Sequence, residues 1–132
     1  GRRFPPAVQS AVPAEMQATG RRNYAAKIER LDFWLGAYIG ALNASGELEN
    51  TLICLASDHG EMLFDRGVAG KEKPWNSASS VPLLCRGPRL GVRAGAVVRA
   101  PVSTVDLGPT FLDFAGALPR APRGMSRFSL RP

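Results

Sequence analysis

Apolar residues recur at three- and four-residue spacing from Tyr24 through Ile28, Leu31, Leu35, Tyr38 or Ile39 to Leu42. That period marks one face of an α-helix. Arg22, Lys27, Glu29 and Arg30 fall on the opposite face. Such a stripe predicts core packing rather than a ligand face. Asn43-Ala-Ser-Gly46 supplies the glycine expected just past a helix end. The pattern then changes. Thr51-Leu-Ile-Cys-Leu-Ala56 is a continuous apolar run of strand length, and Val81-Pro-Leu-Leu-Cys-Arg86 is a second, closed by Gly87-Pro88. Runs without alternation are typical of strands covered on both faces, as in parallel sheets. Between them, Gly60, Gly67, Gly70 and Pro74 predict a long loop over 60–80, and loops of that length in compact domains are usually functional or disordered. Ala96-Val-Val-Arg99 predicts an edge or irregular strand within 89–101. Leu107–Ala115 predicts a last helix, with Asp106 as N-cap, Pro109 in the first turn and Gly116 as the C-terminal cap.

Three stretches follow. Residues 1–20, with Pro5, Pro6 and Pro13, predict an irregular lead-in; 21–117 form an α/β portion; 118–132, with Pro119, Pro122 and Pro132, an irregular tail. Hydrophobic residues make up 45% of the chain, which suits a globular domain, and no run reaches the length of a membrane helix. The N-terminus, Gly1-Arg-Arg-Phe-Pro-Pro6, has no apolar stretch behind its basic residues, so it does not reveal a compartment. The net charge of +6 comes from Arg and Lys scattered along the whole length. A nucleic-acid footprint clusters on one face or helix, so the charge does not argue for nucleic acid. Cys54 and Cys85 each lie inside an apolar run, where a free Cys behaves as a small hydrophobe. Two cysteines so placed are not expected to make a disulfide framework.

The chemistry gathers at Ser57-Asp-His-Gly-Glu61, at the end of the first strand run. In open parallel α/β sheets, ligands bind at the carboxyl ends of strands. Asp58 is a hard oxygen ligand for a divalent cation, and the His59 imidazole suits many metals. Gly60 would let the backbone turn away after them. His59 is the only histidine, so further ligands would have to come from elsewhere. Lys71, after Gly70, carries a compact ammonium suited to a tetrahedral oxyanion. Arg66 is either a fork of donors for an anion or a partner of Asp65. Cys85-Arg-Gly-Pro-Arg89 superficially resembles a Cys-x-Pro-x-Arg nucleophile motif, but Pro88 is displaced by one position, so no nucleophile is assigned in this chain.

The run Ser57-Asp-His-Gly-Glu-Met-Leu-Phe-Asp-Arg-Gly-Val-Ala-Gly-Lys71, followed by Val81-Pro-Leu-Leu-Cys-Arg-Gly-Pro88, resembles the sulfatase family of the alkaline-phosphatase-like superfamily. The helix from Tyr24 through Leu31-Asp32 to Gly36, the segment Val105-Asp-Leu-Gly-Pro-Thr110 and the closing Gly124-Met-Ser-Arg-Phe-Ser-Leu130 match in order. The likeness is to the C-terminal part of the main catalytic domain, over about residues 22–130. It implies an α/β fold, part of a sandwich with a mostly parallel sheet flanked by helices. It implies a sulfuric ester hydrolase acting on a small-molecule sulfate ester.

Residue by residue, Asp58 and His59 match the family's second pair of metal ligands, usually for calcium, and Lys71 matches the lysine that meets the sulfate. The nucleophile, a formylglycine, is implied upstream of this chain, as is the first pair of metal ligands. The second histidine of the family's loop is replaced here by Arg66, which bears on substrate preference. A secretory or extracytoplasmic route is implied by the likeness alone. Two alternatives stay open: a phosphonate or phosphate ester hydrolase of the same superfamily, and a truncated, non-catalytic remnant. The isolated 132-residue chain is expected to be inactive.

Overall fold

A computed structural model describes residues 12–131. In chain order the main elements are α1 (Ala14–Ala44), β1 (Ile53–Ala56), α2 (Asn76–Ser79), β2 (Leu83–Arg86) and α3 (Leu107–Phe114), joined by loops and short 3₁₀ turns. The chain is α/β. Pro5 and Pro6 of the expected lead-in lie outside the described residues. Within the described part of that lead-in, α1 starts at Ala14. Ala-Glu-Met-Gln-Ala are strong helix formers, and the Pro13 carbonyl accepts the first intrahelical bond from the Gln17 N–H at 3.0 Å. Gly46, at φ 77°, stands just past the C-terminal end.

The apolar stripe of α1 behaves differently from a core stripe. None of the helix's 31 residues is buried. Leu35, Ile39 and Leu42 are half-buried, while Phe33, Trp34 and Tyr38 stand out in solvent. The stripe's period makes the helix, but the described residues do not bury it.

The described residues fall into two compact units. One comprises α1 through Tyr38 together with residues 59–81; the other comprises residues 39–58 and the chain from Pro82 onward. In the first, Met62, Val68 and Ala78 are buried, and Trp75 packs against them. The ring of Phe64 lies over Gly20 of α1, where a Cβ would come within 2.6 Å of a ring carbon. Next to it, Arg21 Nε donates to the Leu63 carbonyl at 3.0 Å.

In the second unit β1 and β2 pair antiparallel, with Ile53 opposite Arg86 and Ala56 opposite Leu83. The unbroken apolar runs pointed to parallel neighbours. Such runs report how well a strand is covered, whereas direction is set by the partner it meets. Arg86 ties the pair down. It donates to the Leu48 carbonyl at 3.0 Å and to the Glu49 carboxylate at 2.5 Å. Residues 89–101 form no strand; a 3₁₀ turn at Pro88–Leu90 leads into irregular chain. α3 starts at Leu107 with Asp106 at its N-cap, as expected, but the Asp106 side chain serves the turn before the helix. Ser103 Oγ accepts from the Val105 N–H, and the Asp106 carboxylate accepts from the Ser103 N–H, a capping box around a 3₁₀ turn that runs directly into α3. Gly116, at φ 67°, ends the helix.

Cys54 and Cys85 are register partners, with Cα atoms 4.2 Å apart, and they form a disulfide. The expectation of two free thiols is corrected here. Each cysteine does sit in an apolar strand, but the register puts them face to face. The bond spans 31 residues. Closing a loop of that length restricts the unfolded chain, an effect of roughly 3–4 kcal/mol. In the intact protein, a Cys54→Ala/Cys85→Ala variant is therefore expected to melt lower, and reductant to lower the parent's melt toward the variant's. Equal melts in oxidised and reduced parent would show that the bond contributes nothing.

Candidate functional site

The candidate residues sit on the segment that leaves β1. Ser57 and Asp58 follow the strand directly; Asp58 is exposed and His59 half-buried. Gly60 then donates its N–H to the Ala78 carbonyl at 2.8 Å. Its backbone passes so close to α2 that a Cβ would lie 2.2 Å from the Ser77 carbonyl oxygen. Gly60 was expected to permit a sharp turn, but it is not among the glycines with positive φ. What it provides is room: a side chain there would collide with backbone.

From Glu61 the chain folds back on itself. The Met62 N–H donates to the Gly70 carbonyl at 2.9 Å. Glu61 Oε1 accepts from the Gly70 N–H at 2.5 Å and from the Leu63 N–H at 3.2 Å. The turn between is tight: Leu63, Phe64 and Arg66 all have positive φ. This return brings Lys71 back to His59, with Lys71 Nζ 2.7 Å from His59 Nε2.

That contact fixes the proton positions on the imidazole. His59 Nδ1 lies 2.8 Å from the Gly60 carbonyl oxygen, which only accepts, so Nδ1 carries the hydrogen. Nε2 is left with its lone pair, which accepts from the Lys71 ammonium. A metal-binding histidine commonly donates its other N–H to a backbone carbonyl in this way. The imidazole is thus set up as a donor, and it already faces a cation.

Among the described contacts Arg66 is not paired with Asp65. Its guanidinium stacks over Trp75, 5.1 Å from the ring centroid, while Asp65 accepts from Ser77 Oγ at 2.5 Å. Asp58 precedes His59 directly, but among the described residues no three His, Cys, Asp or Glu side chains gather into a group that would hold a metal. No helix among them is long and apolar enough to cross a membrane. Glu61 is the residue whose part in this arrangement sequence reasoning missed; a glutamate beside a glycine carries no local signal that it will reach across to residue 70.

The order of these parts along the chain matches one family model, Sulfatase, over residues 2–117. The chain belongs to the sulfatase family. It is 39% identical to arylsulfatase K of Danio rerio over 112 residues, covering 85% of this chain and 21% of that protein. Two solved structures resemble it in fold. The phosphonate monoester hydrolase of Silicibacter pomeroyi superposes with a TM-score of 0.70 at 40% identity, over 76% of this chain and 19% of that one. The structure of BT4656 in complex with its substrate D-glucosamine-2-N,6-O-disulfate gives 0.76 at 35% identity, over 84% and 22%. This sulfatase-family chain therefore spans about a fifth of the length of the relatives it matches. Sulfatase membership implies metal-dependent catalysis.

Proposed function

We propose that the protein carrying this chain hydrolyses a sulfate ester with the help of a divalent cation, calcium in the first instance, held in part by Asp58 and His59. The observation that carries the proposal is the His59–Lys71 pair, in which a properly protonated imidazole and a primary ammonium meet at 2.7 Å. The donor set fits a cation. Asp58 offers carboxylate oxygens, and His59 offers a lone pair on Nε2. When bound, the metal would polarise the ester's sulfate group as a Lewis acid. The chain's own residues do the rest of their share by position. His59 keeps its donor atom aimed because Nδ1 is tied to the Gly60 carbonyl. Lys71 brings positive charge to the place where charge develops on the sulfate oxygens.

The attacking group is assigned to sequence outside this chain, a formylglycine by family likeness. The bonding of Cys54 to Cys85 supports this, because neither sulfur is left as a thiolate. The disulfide also supports an oxidising compartment.

A second reading is favoured by one observation, the likeness to a phosphonate monoester hydrolase at 40% identity. The intact protein decides between the two when assayed on p-nitrophenyl sulfate and a p-nitrophenyl phosphonate monoester. Higher kcat/KM on the sulfate is expected, and a clear preference for the phosphonate would reject the first reading. Chelation should abolish turnover, and calcium should restore it. Activity that survives exhaustive chelation would remove Asp58 and His59 from the metal role.

A further inference from the structure

We infer that Glu61 is the positioning residue for Lys71, the group that sets where the ammonium stands; the inference rests on the role proposed for Lys71. Two bonds hold the residue immediately before that lysine, and a third braces the carboxylate that makes one of them. The Gly70 N–H donates to Glu61 Oε1 at 2.5 Å, and the Gly70 carbonyl accepts from the Met62 N–H at 2.9 Å. The same carboxylate oxygen accepts from the Leu63 N–H at 3.2 Å, which ties the near side of the turn to the far side. Met62 is buried, so residues 61 and 62 provide a fixed base.

Gly70 itself has φ 91°, a conformation open to glycine and rarely to other residues. A glycine left to itself has wide backbone freedom, and Lys71 would inherit that freedom. The Glu61 carboxylate removes it. The charge-assisted bond to Gly70 is of the stronger kind. Lys71 is exposed, so little packing from its own side chain holds it in place. Its reach to His59 Nε2 then depends on the direction in which Gly70 releases the chain. The bonds of Glu61 go to backbone N–H groups, that of the ammonium to His59, and Glu61 takes no part in the chemistry. It acts through the backbone, two residues beyond His59 at one end and one residue before Lys71 at the other.

The test uses the intact protein and two readouts. The first is turnover of p-nitrophenyl sulfate by the Glu61→Ala, Lys71→Ala and double variants. Misplacement of a catalytic group by about 1 Å costs on the order of 10²-fold. Glu61→Ala should therefore lose about that much in kcat, with a smaller change in KM. The double variant should be no slower than Lys71→Ala alone, because Glu61 has nothing left to position. Glu61→Gln retains one acceptor oxygen and should recover most of the activity. Losses that multiply in the double variant would overturn the inference, because they would mean that Glu61 acts elsewhere.

The second readout is hydrogen exchange at the Gly70 amide, which needs no turnover. Protection should fall in Glu61→Ala and return in Glu61→Gln, while the buried amide of Met62 changes less. Unchanged protection at Gly70 would overturn the inference. Should the parent cleave neither sulfate nor phosphonate esters, the proposed function fails, and exchange at Gly70 alone upholds or rejects the hold of Glu61 on this backbone.

Discussion

Gly60→Ala is expected to disable the site and to lower the stability of the protein together. The added methyl would stand 2.2 Å from the Ser77 carbonyl oxygen and 3.0 Å from backbone atoms at residues 77 and 78. Backbone cannot swing aside as a long side chain does. The 59–61 segment or α2 must move, and the bond from the Gly60 N–H to the Ala78 carbonyl is lost or stretched. Overpacking of this kind, with a hydrogen bond lost, costs roughly 2–4 kcal/mol. The shift also moves His59, whose Nδ1 is tied to the carbonyl of Gly60 itself. A displacement near 1 Å at a reacting group costs on the order of 10²-fold in rate. Thermal melting and kcat/KM of the intact protein check both effects. Parent-like values in both would mean that the close approach at residues 60 and 77 does not constrain the site.

Lys71→Ala is expected to leave stability almost unchanged and to remove nearly all turnover. The side chain is exposed, so its loss opens no cavity. A preorganised donor to developing charge is worth about 10²–10³ in kcat. Lys71→Arg should not restore it, because a planar fork on a longer head does not reproduce a compact ammonium. Metal binding should persist in Lys71→Ala, since the variant removes a competing cation from His59 Nε2 and no ligand. Asp58→Ala should lose metal as well as activity. Calorimetric titration with calcium, set beside the turnover data, separates the two roles. A Lys71→Ala protein that retains half its activity would end the assignment of Lys71 to the sulfate.

The parts of this chain that depend on local pattern were legible in the sequence. The period from Tyr24 to Leu42 places a helix, and the runs ending at Ala56 and Arg86 place two strands. Asp58, His59 and Lys71 were legible as candidates from residue type and motif, and 59 and 71 do come together. What could not be read depends on what meets what. Strand direction needs the partner. The Cys54–Cys85 bond needs the register, which follows from the direction. The start of α1 was obscured by Pro13, which looks like a breaker and serves as an acceptor. The stripe on α1 shows the same limit from the other side, because a period reveals which face is apolar and not whether this chain contains its cover. Gly60 was read for its flexibility, yet it is needed for its size. Glu61 bears on residue 70 only because positive-φ conformations at 63, 64 and 66 help to reverse the chain.

The disulfide has a further consequence for how the protein would meet proteases. Cys54 and Cys85 close a covalent ring, and Asp58, His59, Glu61, Arg66 and Lys71 all lie within it. The exposed part of that ring around residues 65–67 and 71–74 is where a protease would cut first. A single cut there opens the ring and leaves two chains joined at Cys54 and Cys85. After a cut at 65–67 the pieces bearing His59 and Lys71 stay joined through sulfur until the bond is reduced. In an oxidising compartment a nick in this loop is therefore damage that the molecule can carry, and in a reducing one the same nick divides it in two.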